Sequence, residues 1–192
     1  FSNLGLKWLL RSSAIGSFQE ISLASISDDH SDFLGVIQQS LELIQNHDPR
    51  RFRRVELYTR WITNTSLSGG AYSGEYWHRI KATMLDFEFD REVGDALFHA
   101  AYFAGVIVHE ATHGVIRGRG IDTNRGNRIQ VERICRAEEN RFLGRLLSRL
   151  PQLEPSLIRP FDPKDWSESW GDSAFKKFLK GQVRAKEKSN FK

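Results

Sequence analysis

Apolar positions change their period twice along this chain. Between Ser31 and Asn46, Phe33, Val36, Ile37, Leu41 and Ile44 recur at helical spacing behind a Ser31-Asp32 cap, which predicts an amphipathic helix. Asp48-Pro49 ends it, because the residue before proline is turned away from helical geometry. From Arg51 to Thr65 the pattern alternates among the β-formers Phe52, Val55, Leu57, Tyr58, Trp61 and Ile62 and predicts a strand. Gly69-Gly70 and Gly74 punctuate a turn. Tyr76 to Phe89 then predicts one or two further strands, including 78–81 and 84–87. The helical period returns near Arg91. Val93, Ala96, Leu97, Ala100, Ala101, Ala104, Ile107 and Val108 predict a largely buried helix to about Arg117, stopped by Gly118-Arg119-Gly120. Asp122 or Asn124 can start the next helix, which runs from about Asn127 to Leu150 ahead of Pro151.

At the N-terminus, Leu4, Trp8, Leu9 and Ile15 predict a short amphipathic helix, followed by Ser-rich, turn-like sequence. Pro151, Pro155, Pro160 and Pro163 make an irregular connection, a short helix follows near Asp165–Leu179, and a Lys-rich tail closes the chain. The order helix, strands, helices indicates an α+β fold, with a short mixed or antiparallel sheet on the long apolar helix. We read 1–192 as one domain with a core at about 32–150, a connection with a short helix over 151–180 and a basic tail over 181–192.

Composition narrows the class. A chain of 192 residues with 40% hydrophobic and 27% charged positions is a globular domain, not a disordered or low-complexity one. A net charge of +4 is too small to point to nucleic acid. The single cysteine, Cys135, rules out an intrachain disulfide and multi-cysteine metal sites, and favours a cytoplasmic location. The apolar run Ala96–Val108 is too short to span a bilayer, so a soluble protein is expected. The chain opens with Phe1, not Met, and reads as a processed chain or a fragment.

One motif carries chemistry. Residues 109–114 read His109-Glu110-Ala111-Thr112-His113-Gly114, an HExxH pattern inside a predicted helix. Residues four apart on a helix stand one turn apart on one face, so both imidazoles can grip one zinc ion. The Glu beside the first His is then placed to take a proton from the attacking water and hand it to a leaving amine. Such a pattern arises by chance in roughly one chain of this composition in a hundred. Here Ile107 and Val108 precede the motif and its variable positions are uncharged, as a buried metal helix requires.

Zinc needs a third protein ligand and an open position. Ile116 and Arg119 exclude the longer HExxHxxGxxH pattern, and no histidine follows His113. If the motif helix and the next one form an antiparallel hairpin, the level of His109 and His113 falls near position 133. Glu132 is the nearest carboxylate, and Glu139, seven residues on and on the same face, is the reserve. Glu139 read otherwise is an ion-pair partner for nearby arginines.

HExxH followed after 18 residues by Glu on a second helix resembles the gluzincin group of zinc metallopeptidases, in particular minimal bacterial gluzincins. The segment from Glu138 to Leu147, with Asn140-Arg141-Phe142 and Leu146-Leu147, is similar to the glutamate helix of small metallopeptidases that cleave phage repressors. The resemblance covers about residues 50–150 and implies a zincin-like domain. It implies zinc on His109, His113 and Glu132, Glu110 as general base, and an upstream edge strand that holds a peptide or protein substrate. The chain departs from the group in having no Tyr or His after the glutamate helix, and Arg136 stands four residues after Glu132. The oxyanion role then falls to Tyr72, Tyr76, His78 or an arginine.

Other residues read more plainly. His99 is a buried core histidine, and Cys135 is a small buried residue or a thiol that reaches the zinc. Asp86, Glu88, Asp90 and Glu92 form a solvated strand edge. Arg50 to Arg54 is solvated charge, and Trp8, Trp61, Trp77, Trp166 and Trp170 are core and cleft walls. The expected activity is peptide-bond hydrolysis by zinc-activated water. The alternatives are a binding or regulatory module with a closed zinc site, or an amidase acting on non-peptide material. Four protein ligands in place of three would mark the closed site.

Overall fold

Ile21, Leu23, Ile62 and Leu85 are fully buried and lie on one face of a five-stranded sheet. The computed structural model describes residues 3–26, 31–65, 74–87, 94–121 and 126–163. In chain order the elements are α1 (Asn3–Ser12), β1 (Ala14–Phe18), β2 (Ile21–Ser25), α2 (Ser31–His47), α3 (Pro49–Tyr58), β3 (Trp61–Asn64), β4 (Gly74–Trp77), β5 (Ala82–Leu85), α4 (Ala96–Gly118) and α5 (Arg128–Arg149). A single 3-10 turn, Pro155–Leu157, follows. The fold is mixed α+β.

The sheet order is β1-β2-β3-β5-β4. The central pairs β2/β3 and β3/β5 are parallel, and the two outer pairs are antiparallel. Alternation sorts the strands' residues between two layers. The face carrying Ile21, Leu23, Ile62 and Leu85 packs into the main core with α2 and α4. On the other face Ala24, Ala82 and Met84, with Trp61 and Trp77, meet Leu6 and Leu10 of α1. Trp8 stands on the outer side of α1 and is exposed, so it is no core residue. α5 packs along α4, and Leu153 and Leu157 of the following connection are buried in the same core. Among the described residues, no helix is long and apolar enough to cross a membrane.

Several expectations are corrected here. The predicted strand over 51–65 is mostly the helix α3, and only Trp61–Asn64 pairs in the sheet. Asp48-Pro49 ends α2 and also starts α3: the Asp48 carboxylate accepts the Arg51 N–H and Pro49 supplies the preset first turn. Phe52 and Val55, three apart, face the core while Leu57 is exposed, as a helix demands and a strand does not. The Ser-rich stretch after α1 is a hairpin, β1 and β2, closed by a tight turn with Gln19 at φ 50. Its β2 strand is buried between β1 and β3, and that burial outweighs the weak strand preference of Ser and Ala. The core therefore begins well before residue 32. Residues 78–81 form a turn between β4 and β5, not a strand. α4 begins at Ala96, where the Asp95 side chain accepts the Phe98 N–H, later than the predicted Arg91. The predicted turn at Gly69-Gly70, caps at Asp122 and Asn124, helix at 165–179 and tail lie outside the described residues, as do Glu88, Asp90, Glu92, Trp166 and Trp170.

The arginine run is not simply solvated. Arg51 is buried, paired to Asp48, and reaches Glu138 of α5 at 2.9 Å. Arg145 returns from α5 to Asp48 at 2.8 Å, and Arg54 meets Glu138 at 3.2 Å. This ionic cluster ties the α2–α3 junction to α5. Burial pushes the Asp48 carboxyl up, but the hydrogen bonds and charge of Arg51 and the charge of Arg145 bring it below its ordinary 3.8. Its contribution is therefore present above that value and lost as pH falls through the lower folded value. Asp48→Ala removes both the cap and a buried ionic partner, and is expected to cost about 2–4 kcal/mol in urea unfolding at neutral pH. The gap from wild type should narrow below pH 3.8.

Candidate metal centre

α4 is buried along most of its length, and HExxH sits in its second half. Ile107 and Val108 lead into His109, Glu110, Ala111 and Thr112, all buried, and the Thr112 hydroxyl donates to the Val108 carbonyl at 2.7 Å. Three glycines bring neighbours close to this helix. A Cβ on Gly105 would stand 3.1 Å from Leu143 of α5, so α4 and α5 approach tightly one turn before His109. A Cβ on Gly114 would meet Tyr58 and the Tyr76 hydroxyl, at 2.7 and 2.8 Å. On β4, a Cβ on Gly74 would stand 2.8 Å from Val106 and 3.1 Å from the Glu110 side chain. β4 thus lies against Glu110 because its residue there has no side chain.

α4 and α5 run antiparallel, and their facing side chains converge. One Glu132 oxygen, Oε2, lies 3.3 Å from His109 Nε2 and 3.3 Å from His113 Nε2. The two rings have centroids 5.2 Å apart. Donors bound at 2.0–2.1 Å to a tetrahedral zinc ion stand about 3.3–3.4 Å apart, so the separation of the carboxylate oxygen from each nitrogen matches such an ion. His113 is 19% exposed by its side chain and His109 only 5%, so solvent reaches the cluster from the His113 side.

Glu139 occupies a different place. Its Oε2 lies 3.0 Å from His109 Nδ1, behind the ring and away from Glu132. Its other oxygen accepts from Arg136 at 2.6 Å and from Arg159 at 3.4 Å. It therefore orients His109 and does not share the ligand side, the arrangement by which a carboxylate fixes a metal-binding histidine's tautomer. It is also the arginine partner that its sequence context suggests. The same two histidines also form a group with Cys135. His109, His113 and Cys135 each place one ligand atom so that all three lie within 4.8 Å of one another. Cys135 is fully buried beside Ile116 and Val131.

The charges follow from this packing. Burial pushes the Glu132 carboxyl up, but hydrogen bonds from the two imidazoles more than reverse it and hold it well below the carboxylate range. Burial disfavours a charged His109, yet bonds to Glu132 and Glu139 raise it to about 9. Glu110 is raised chiefly by burial, against the pull of His109 and His113. The Cys135 thiol is raised by burial and by the surrounding carboxylates.

Two sequence candidates stand elsewhere. The Tyr76 hydroxyl donates to the Tyr58 backbone carbonyl at 2.6 Å, so its only proton is committed away from an oxyanion. Its pKa rises to about 12, mainly through burial. His78 is in the exposed turn after β4, where burial and the charges of Arg117 and Arg79 lower its pKa. Tyr72 lies outside the described residues. His99 is buried in α4 and packs edge-on to the Phe98 ring. Sequence reasoning missed the Arg159 brace on Glu139, which comes from a Pro-rich connection with no periodic signal. It also missed Gly74, where a glycine ahead of a strand read only as a turn.

Comparison with known protein families, curated proteins and solved structures finds no match for this chain.

The buried His109 proton makes a prediction for chelator-treated protein. Its folded pKa of about 9 exceeds the ordinary 6.5, so its stabilising contribution is complete below 6.5 and lost as pH rises through 9. Urea unfolding should show stability falling across that interval, and Glu139→Gln should flatten the fall.

Proposed function

We propose that this chain is a zinc-dependent metallopeptidase. The observation that carries the reading is the single Glu132 oxygen at 3.3 Å from both His109 and His113 Nε2. In this reading His109, His113 and Glu132 would hold the ion, and Glu139 keeps the His109 ring in register. When bound, zinc would supply Lewis acidity toward a scissile carbonyl and make water a stronger acid.

The chain's own residues account for the rest. Glu110 follows His109 directly, is buried, and has its affinity for a proton raised by that burial. It is suited to take a proton from the attacking water and return it to the departing amine. Among the described residues β4 is an edge strand of the sheet, and Gly74 lies against Glu110. An extended peptide pairing along that edge would pass its backbone next to the base. The peptide class is favoured over a compact non-peptide amide because a strand edge recognises extended main chain.

Two outcomes test the reading. Mass spectrometric metal analysis of protein purified without added metal should give about one zinc per chain, lost in both His113→Ala and Glu132→Ala. Glu139→Gln should retain metal but bind it about 10–100-fold more weakly. Absence of zinc in the wild type, even after dialysis against it, would leave a buried His–carboxylate cluster and no metal site. In a protein-substrate assay, Glu110→Gln should keep full metal content and abolish hydrolysis. Retained turnover would exclude Glu110 as the base.

A further inference from the structure

We infer that Cys135 is a fourth protein ligand, which in the resting protein takes the position a catalytic site leaves to water. The inference rests on the metallopeptidase reading of the same centre. The thiol lies three residues beyond Glu132 on α5, so the two side chains leave the helix one turn apart and roughly 60° apart around its axis. Its sulfur belongs to one cluster with the two imidazoles, all three ligand atoms lying within 4.8 Å of one another. A thiolate at 2.3 Å and an imidazole nitrogen at 2.0–2.1 Å from a shared tetrahedral ion stand about 3.5 Å apart. The 4.8 Å that bounds the cluster exceeds that separation by about 1.3 Å, a movement of the order that side-chain rotation supplies. His109 and His113 come from α4 and Glu132 and Cys135 from α5, so none of the four is drawn from a loop.

The thiol packs in a small apolar cluster, out of reach of solvent reagents. Cys135 is fully buried beside Ile116 and Val131, so it cannot meet an external thiol or a bulky electrophile without opening the α4–α5 contact. A thiol that coordinates a divalent cation is deprotonated outright. Nothing is oxidised or reduced in this step. The sulfur releases its proton to solvent as the bond to the ion forms. With the sulfur bound, the position that a catalytic site leaves to water would be filled, so hydrolysis by this chain would require the thiol to leave it.

Cobalt(II) distinguishes this inference from the reading beneath it. Metal-free, full-length chain is titrated with cobalt(II) chloride under reducing, oxygen-free conditions, and the absorption spectrum is recorded. Visible d–d bands report a cobalt centre of low coordination number, and a near-ultraviolet thiolate-to-cobalt charge-transfer band reports the sulfur. The wild type should show both. Cys135→Ser should lose the near-ultraviolet band and keep the visible ones, with Cys135→Ala as a second variant whose fold is checked by circular dichroism. Visible bands without the charge-transfer band in the wild type would overturn the fourth ligand and leave the metallopeptidase centre standing. A charge-transfer band that persists in Cys135→Ser would also overturn it. Absence of all bands in the wild type would overturn the metal reading itself, and this inference with it.

Discussion

A carboxylate oxygen held between two imidazoles, inside the contact of two helices, is the constraint the rest of this molecule answers to. Burying three titratable groups together is costly unless each finds a partner of opposite character. Glu132 has His109 and His113, His109 has Glu139 on its far nitrogen, and Glu139 in turn has Arg136 and Arg159. The chain of partners runs from the helix interface outward to the connection after α5. The partners matter because Leu143, Ile107 and Ile116 border the same helices and offer the charges nothing.

The scaffold meets that constraint through close approach. Gly105 lets α5 press onto α4 beside the motif, and Gly114 and Gly118 give Tyr58 a groove on the other side. α2 and the sheet fill a further flank with aliphatic side chains, so most of α4 is fixed and its polar face has little freedom to adjust. From the middle of α5 toward its C-terminus, Glu138 and Arg145 fasten the helix to Arg51 and Asp48. The register between α4 and α5, and hence the meeting of Glu132 with both rings, is held by contacts along the helix pair.

Much of this was legible in the sequence wherever periodicity was long. α2 and the later part of α4 follow their apolar stripes closely, and α5 starts within a residue of expectation. The facing-register argument for Glu132 works because two helices joined by a short connection must run antiparallel, so position along one fixes position along the other. Short elements were not legible. Phe52, Val55 and Leu57 fit either period over so few residues, and the capping role of Asp48 decided for α3. β2 carries Ser and Ala and is a strand because of what flanks it, a tertiary fact with no local signal. Tyr76 illustrates the same limit at the centre. Its strand was expected, but the Tyr58 carbonyl that engages its hydroxyl belongs to an element the sequence pattern misassigned.

Arg159 gives the molecule a property that no single element has. It lies in the irregular connection, where Asn140 holds its carbonyl at 2.7 Å and its guanidinium stacks 5.1 Å over the Tyr102 ring while reaching Glu139. The settled position of that connection and the orientation of His109 therefore share one free energy. By thermodynamic reciprocity, whatever tightens the grip on His109 also pins the connection, and whatever lifts the connection loosens His109 by the same factor. The segment after α5 is thereby a handle on the centre, reached from the surface about twenty residues downstream of the carboxylate it steadies.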